Sequence, residues 1–237
     1  MRRDADAPTD LASWRKSERA RLIAARERLD AATLERFRRR IDSHLLRSFP
    51  GLASATVAFC WPMRGEYDAR PLASALRERG AVTALPVVVA PRQPLIFREW
   101  HEGVPLAAGP LGIPYPPGSD AVAPSVVLVP MNGWDEAGYR LGYGAGFFDR
   151  TLASPPKPLV AIGIAYELAK IATIRPQRWD VPMSWVVTER GVYRRDPGGL
   201  AFLGEPAPGE PGTLASPVCY ADEVDPGRFG DPDRREG

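Results

Sequence analysis

The chain has 237 residues, 44% hydrophobic and 25% charged, and 31 Lys and Arg against 29 Asp and Glu leave a net charge of +2. At about 150 residues per domain, this suits one large domain, or a domain with a tail, whose core needs no staples. The balanced charge makes no general case for nucleic acid, and two Cys and two His rule out a disulfide framework and argue against structural zinc. The N-terminus lacks an apolar signal core, and no run nears the roughly 18 apolar residues of a membrane span. A cytoplasmic monomer is expected, acting on small molecules and binding neither nucleic acid nor membrane.

Residues 1–10 are expected to be disordered. From Leu11 to Leu46 the chain is free of Gly and Pro, and Leu22, Ile23, Leu29, Leu34, Phe37, Ile41 and Leu45 recur at roughly helical spacing. Asp30 can cap a second helix from Ala31, and Pro50-Gly51 stops it. Ala55–Trp61 reads as a buried strand and Pro71–Arg79 as a helix closed by Gly80. Val82–Ala90 reads as a strand in which Pro86 demands an edge or a break. Leu95–Trp100, Val126–Pro130, Leu159–Tyr166 and Val186–Thr188 complete the strands. Apolar strands alternating with helices predict an α/β fold, an open, mostly parallel sheet with helices on both faces. The domain is expected to span 11–195. Residues 196–237, rich in Pro, Gly, Asp and Glu, read as a flexible tail. The basic run from Arg36 to Arg40 reads as a solvated helix face.

The segment Pro130–Leu152 carries the chemistry. It places Gly142, Gly144 and Gly146 between the strand at Val126–Pro130 and a helix opening at Phe147. Glycines let backbone N–H groups approach a phosphate, and a helix N-terminus favours an anion. Arg140 and Arg150 add charge-assisted donors, and Asp135 and Asp149 beside a phosphate suggest Mg²⁺. No Gly-Lys-Ser/Thr follows, and the dinucleotide-fold spacing is absent. Neither His44 nor His101 sits in a nucleophile context.

Asp135-x-x-Gly138-x-Arg140-Leu141-Gly142-Tyr143-Gly144-x-Gly146-Phe147-Phe148-Asp149-Arg150 closely resembles the signature of the 5-formyltetrahydrofolate cyclo-ligase family. Trp61–Glu66, Leu85-Pro86, Phe97-Arg98-x-Trp100, Gly112-Ile113-Pro114-x-Pro116, Trp179–Pro182 and Val187–Glu189 follow in the family's order, so the resemblance spans roughly 15–195. It implies ATP-dependent cyclisation of 5-formyltetrahydrofolate to 5,10-methenyltetrahydrofolate through a phosphorylated formyl group, with Mg²⁺ as cofactor. It implies an ATP side built from Arg15, Lys16, Arg19, Arg140, Leu141, Gly142, Tyr143, Gly144, Ala145, Gly146, Phe147 and Phe148. Arg140, Asp149 and Arg150 would take the catalytic roles. Asp149 and Asp180 would hold the metal, with Asp135 behind them. Glu66 would accept hydrogen bonds from the pterin, walled by Met63, Trp61 and Trp100.

The chain departs from the family pattern at five places. Arg15 stands in place of a Lys, Phe147-Phe148 lacks the usual Tyr, Trp179 replaces a frequent His, and Tyr115 a frequent Glu. Met131–Trp134 replaces an apolar run. These departures motivate two rival readings. One is a related ATP-dependent enzyme acting on another formylated or amide heterocycle; the other is a non-catalytic binder of folate or nucleotide.

Overall fold

The computed structural model describes residues 10–153 and 159–205. Its helices are α1 (Leu11–Glu27), α2 (Ala31–Ser48), α3 (Arg70–Arg77) and α4 (Phe147–Ala153). Asp10 caps α1 by accepting from the Ala12 N–H at 3.1 Å, and Asp30 caps α2 by accepting from the Thr33 N–H at 2.7 Å. Such caps contribute about 1 kcal/mol each. Asp10 therefore belongs to the folded part rather than to a disordered leader; residues 1–9 lie outside the described residues. A 3₁₀ turn, Pro50–Ser54, follows α2 where Pro50 cannot continue it.

The strands are β1 (Thr56–Ala58), β2 (Val82–Val87), β3 (Ile96–Glu99), β4 (Ala107–Ala108), β5 (Pro114–Tyr115), β6 (Val126–Pro130), β7 (Gly133–Trp134), β8 (Arg140–Leu141), β9 (Val160–Ile164), β10 (Trp185–Val187), β11 (Val192–Asp196) and β12 (Gly199–Gly204). Eight of them form one sheet in the order β12-β11-β10-β9-β6-β1-β2-β3. The middle five, from β10 to β2, run parallel, and β3, β11 and β12 add antiparallel edges. The pairs β4–β5 and β7–β8 form two small hairpin sheets.

Alternation along β6 divides the core. Val126 and Leu128 face one side with Ile162 and Ile164 of β9, under Ile41 and Leu45 of α2 and Leu72 and Leu76 of α3. Val127 and Val129 face the other, with Trp134 of β7 and the partly buried Phe147, Phe148 and Leu152 of α4. The expected layering holds, although one short helix and a hairpin cover the second face. Helix α1 stands apart from both layers, its Leu22 buried against Leu141 and Ile174.

Three boundaries differ from the sequence reading. Strand β1 stops at Ala58, where the chain turns into the site described below. Strand β2 continues through Pro86 because β1 pairs only as far as Ala84. Pro86 thus has a neighbour on one side only, the local edge its missing N–H requires. The sheet also runs past residue 195: Asp196-Pro197-Gly198-Gly199 turns β11 back into β12, with Asp196 Oδ1 accepting from the Gly198 N–H at 2.8 Å. The expected tail therefore begins no earlier than Glu205; residues 206–237 lie outside the described residues.

Candidate active site

The parallel strands β1, β6 and β9 end at a cleft open to solvent. Open α/β sheets bind their ligands at this carboxyl end. Leu22, Phe59, Leu128, Met131, Ile164 and Leu168 make its apolar walls, and Arg26, Glu66, Asn132 and Tyr166 bring polar groups into it.

The Glu66 side chain is only 6% exposed. Its Oε2 accepts from the Met63 N–H at 3.1 Å and its Oε1 from the Tyr143 hydroxyl at 2.9 Å. Arg26 Nη2 stands 3.7 Å from Oε1. Burial raises the Glu66 pKa above its ordinary value, against the opposing pull of Arg26, Tyr143 and the Met63 N–H. Tyr143 is pushed up to about 12, first by burial and then by the Glu66 charge, so its phenol stays protonated and donates.

The glycine loop lies between β8 and α4. Gly144 (φ +99°) and Gly146 (φ +66°) occupy the left-handed region that side chains avoid. Arg19 Nε donates to the Gly142 carbonyl at 2.5 Å, and its guanidinium lies over Gly144, where a Cβ would meet Nη2 at 3.3 Å. Arg150 covers the other flank: Nη1 donates to the Ala145 carbonyl at 2.9 Å and lies 3.0 Å from a Cβ position on Gly146. Two guanidiniums flanking a glycine turn are the kind of groups that suit an anion.

One face of α1 joins the loop to the cleft. Arg15, Arg19, Leu22 and Arg26 fall at i, i+4, i+7 and i+11, a single stripe about 16 Å long at 1.5 Å per residue. Arg15 binds Asp180 at 2.6 Å and the Arg175 carbonyl at 2.7 Å. Leu22 packs so closely on Gly133 that a Cβ there would sit 2.7 Å from Leu22 Cδ1. Arg26 is 5% exposed and donates to the Arg64 carbonyl and to Asn132 Oδ1, both at 2.9 Å.

The structure thus brings together Arg15, Arg19, Gly142, Tyr143, Gly144, Ala145, Gly146, Arg150 and Glu66. It places others elsewhere. Lys16 is exposed, one residue off the α1 stripe, with no ion pair among the described residues. Leu141 is a core side chain, 2% exposed. Phe147 and Phe148 pack on the second core face, an apolar environment that accounts for Phe where the family has Tyr. Trp100 is buried edge-on against Phe59 and Trp61, and Trp61 lies under Arg70 at 4.7 Å; neither lines the cleft. Met63 contributes its backbone, exchanging N–H and carbonyl contacts with Glu66.

Arg140 is buried and braces the loop from behind. It donates to the Val181 carbonyl and to Asp149 Oδ1, both at 2.7 Å. The three metal candidates do not converge, and among the described residues no group of three His, Cys, Asp or Glu is arranged to hold a metal. Asp135 accepts from the backbone N–H groups of Ala137, Tyr139 and Ile174, so it braces a turn. Asp180 accepts from Arg15 and the Gln177 N–H. Asp149 uses only Oδ1, toward Arg140 and the Val181 N–H, which leaves Oδ2 without a hydrogen bond among the described residues.

Arg26, Asn132 and Tyr166 were not foreseen as site residues. The α1 stripe was the available signal for Arg26, hidden by its neighbours Arg21 and Arg28. Asn132 belongs to the departure Met131–Trp134, which the structure explains as a unit. Met131 lines the cleft, Asn132 holds Arg26, Gly133 admits Leu22, and Trp134 is fully buried with Nε1 donating to the Tyr166 carbonyl at 3.3 Å.

The sequence model of the 5-formyltetrahydrofolate cyclo-ligase family matches residues 11–189. A 5-formyltetrahydrofolate cyclo-ligase of Escherichia coli K12 is 32% identical over 152 residues, 61% of this chain and 83% of that protein. One from Haemophilus influenzae is 25% identical over 176 residues, 71% of this chain and 94% of that protein. The 5,10-methenyltetrahydrofolate synthetase of Aquifex aeolicus superposes with a TM-score of 0.67 at 27% identity, covering 80% of this chain and 97% of that one. A Mycoplasma pneumoniae 5,10-methenyltetrahydrofolate synthetase shares the fold with a TM-score of 0.61 at 18% identity, covering 74% of this chain and 98% of that one. The matched span takes in the arginine stripe, the glycine loop and the Glu66 cleft together, and the chain belongs to the 5-formyltetrahydrofolate cyclo-ligase family.

Proposed function

We propose that the protein cyclises 5-formyltetrahydrofolate to 5,10-methenyltetrahydrofolate at the expense of ATP, releasing ADP and phosphate. The observation that carries this reading is the α1 stripe, which sets a guanidinium on the glycine loop at one end and a buried carboxylate beside an apolar cleft at the other. A triphosphate fits the loop end. A flat ring with N–H donors fits Glu66, an acceptor-only group when ionised.

In the reaction the formyl oxygen attacks the γ-phosphorus and ADP leaves. The N10 lone pair then attacks the activated formyl carbon. The carbon–oxygen bond to phosphate breaks, N10 gives up its proton, and the methenyl bridge is left between the two nitrogens. Such chemistry asks for placement and charge stabilisation rather than a strong base. Arg19 and Arg150 spread positive charge along the glycine loop, Arg140 fixes α4 behind it, and Glu66 orients the pterin. Asp149 Oδ2, with phosphate oxygens and water, fits a Mg²⁺ ion, which takes one or two carboxylates and keeps several waters. The ion would supply charge neutralisation at the phosphates.

We take the chain to act on small molecules as a monomer. The basic run favours no nucleic-acid role, because Arg38 pairs with Glu35 and Asp42, Arg39 with Glu35 and Arg40 with Glu205. The test is a stoichiometric turnover assay on the purified chain, following methenyltetrahydrofolate by absorbance and ADP and phosphate by coupled assays. One ADP and one phosphate per product, and no product without ATP, are expected. ATP hydrolysis without methenyl product would overturn the reading.

A further inference from the structure

Tyr143 sits between two glycines of the loop that faces the nucleotide, yet its hydroxyl reaches out of that loop to Glu66 Oε1 at 2.9 Å. The same hydroxyl accepts from Arg26 Nη2 at 3.4 Å. Arg26 is the fixed member of this cluster. It lies in α1, nearly fully buried, and its other two nitrogens, Nε and Nη1, donate to the Arg64 carbonyl and Asn132 Oδ1. One guanidinium therefore ties α1, the segment after β1, the segment after β6 and the glycine loop. Tyr143 is the exposed member: the residue is 41% exposed, and its hydroxyl makes only these two hydrogen bonds among the described residues.

We infer that Tyr143 and Arg26 are positioning residues that couple the folate end of the site to the nucleotide loop, so that each ligand binds more tightly when the other is present. The inference rests on the proposed cyclo-ligase reading. A ligand that donates to Glu66 displaces the Tyr143 hydroxyl from the oxygen it now occupies. Its arrival therefore frees the loop to settle on nucleotide, and a loop drawn onto nucleotide frees Glu66 for the ring. Such coupling is reciprocal in binding free energy. Arg26 keeps Glu66 and Tyr143 within reach of each other through the exchange.

The test measures the affinity of a non-hydrolysable ATP analogue by calorimetry, with and without saturating 5-formyltetrahydrofolate. The expected tightening in the wild-type chain is roughly tenfold, within the usual range of site-to-site coupling. In Tyr143→Phe, which removes one partly exposed hydroxyl and keeps the ring, the ratio should fall to about one while each ligand alone still binds. Arg26→Lys keeps the charge but cannot hold the same partners at once, so it should also flatten the ratio, with a rise in folate KM larger than any fall in kcat. An unchanged ratio in Tyr143→Phe, or a wild-type ratio of one, would overturn the coupling and leave the cyclo-ligase reading standing. Failure of the wild-type chain to bind 5-formyltetrahydrofolate at all would overturn both.

Discussion

Glu66 carries the clearest residue-level consequence. Its pKa is raised chiefly by burial, so it stays protonated to a higher pH than an ordinary glutamate. Only the ionised form accepts from a ring N–H at both oxygens. As pH falls through the raised value the acceptor is lost, and kcat/KM for the folate should fall with it, along an acid limb lying above the ordinary carboxylate range near 4.3. A pH profile of wild type against Glu66→Gln checks this: the variant should be weaker overall and lack that limb. Asp135 makes a contrasting case. Asp135→Asn replaces an oxygen with an amide that cannot accept from a backbone N–H, and should lower stability by about 1–3 kcal/mol in urea melts. The Mg²⁺ concentration giving half-maximal rate should stay as it is, whereas Asp149→Asn should raise it. In the sequence these two acids look alike, both flanking a glycine-rich segment. Only the chain path shows that three N–H groups close on one and leave an oxygen of the other open.

At the scale of elements, α1 organises the site, and its side chains fit only because glycines face them. Gly133→Ala would place a methyl 2.7 Å from Leu22 Cδ1. It should cost about 1–3 kcal/mol of stability, as overpacking does. It should also raise KM for both substrates, because Leu22 is 1% exposed and the strain of repacking it falls on the helix that carries Arg19 and Arg26. Gly144→Ala is strained by its φ of +99° and crowds Arg19. It should weaken ATP more than folate in initial-rate kinetics. Apolar residues at helical spacing made α1 and α2 legible, and short continuous apolar runs did the same for the buried strands. The two-residue strands β4, β5, β7 and β8 have no room for a period. Arg26 escaped notice for a different reason: an arginine in an arginine-rich helix reads as solvated unless the partner that buries it is known.

The molecule as a whole is a parallel sheet with antiparallel edges, and the last edge was misread. The segment Gly199–Gly204 contributes Leu200 to the second core face and stacks Phe202 against Tyr193 at 4.8 Å. Composition hid it, since the apolar residues Leu200–Leu203 sit among Pro, Gly and acids. The Asp-Pro-Gly-Gly turn ahead of them was the available hairpin signal. A chain ending at Asp196 should melt about 1–6 °C lower than one ending at Glu205, because an aromatic pair contributes about 0.5–1.5 kcal/mol. Equal melting temperatures would show that β12 adds nothing to the fold. Leu200 donates to the Glu136 carbonyl at 2.7 Å, in the turn between β7 and β8, but β12 supplies no residue of the cleft, so both chains should keep similar KM values below their melting range.

Helix α1 spans the proposed nucleotide end and the proposed folate end, with Arg19 serving only the first. The most direct measurement is an initial-rate matrix over ATP and 5-formyltetrahydrofolate for the wild-type chain and Arg19→Gln. Losing a charged donor to phosphate costs about 1.5–3 kcal/mol, so the ATP KM should rise at least about tenfold. The folate KM at saturating ATP should change by less than about twofold. An unchanged ATP KM, or a loss falling on the folate instead, would contradict the placement of the nucleotide on the glycine loop.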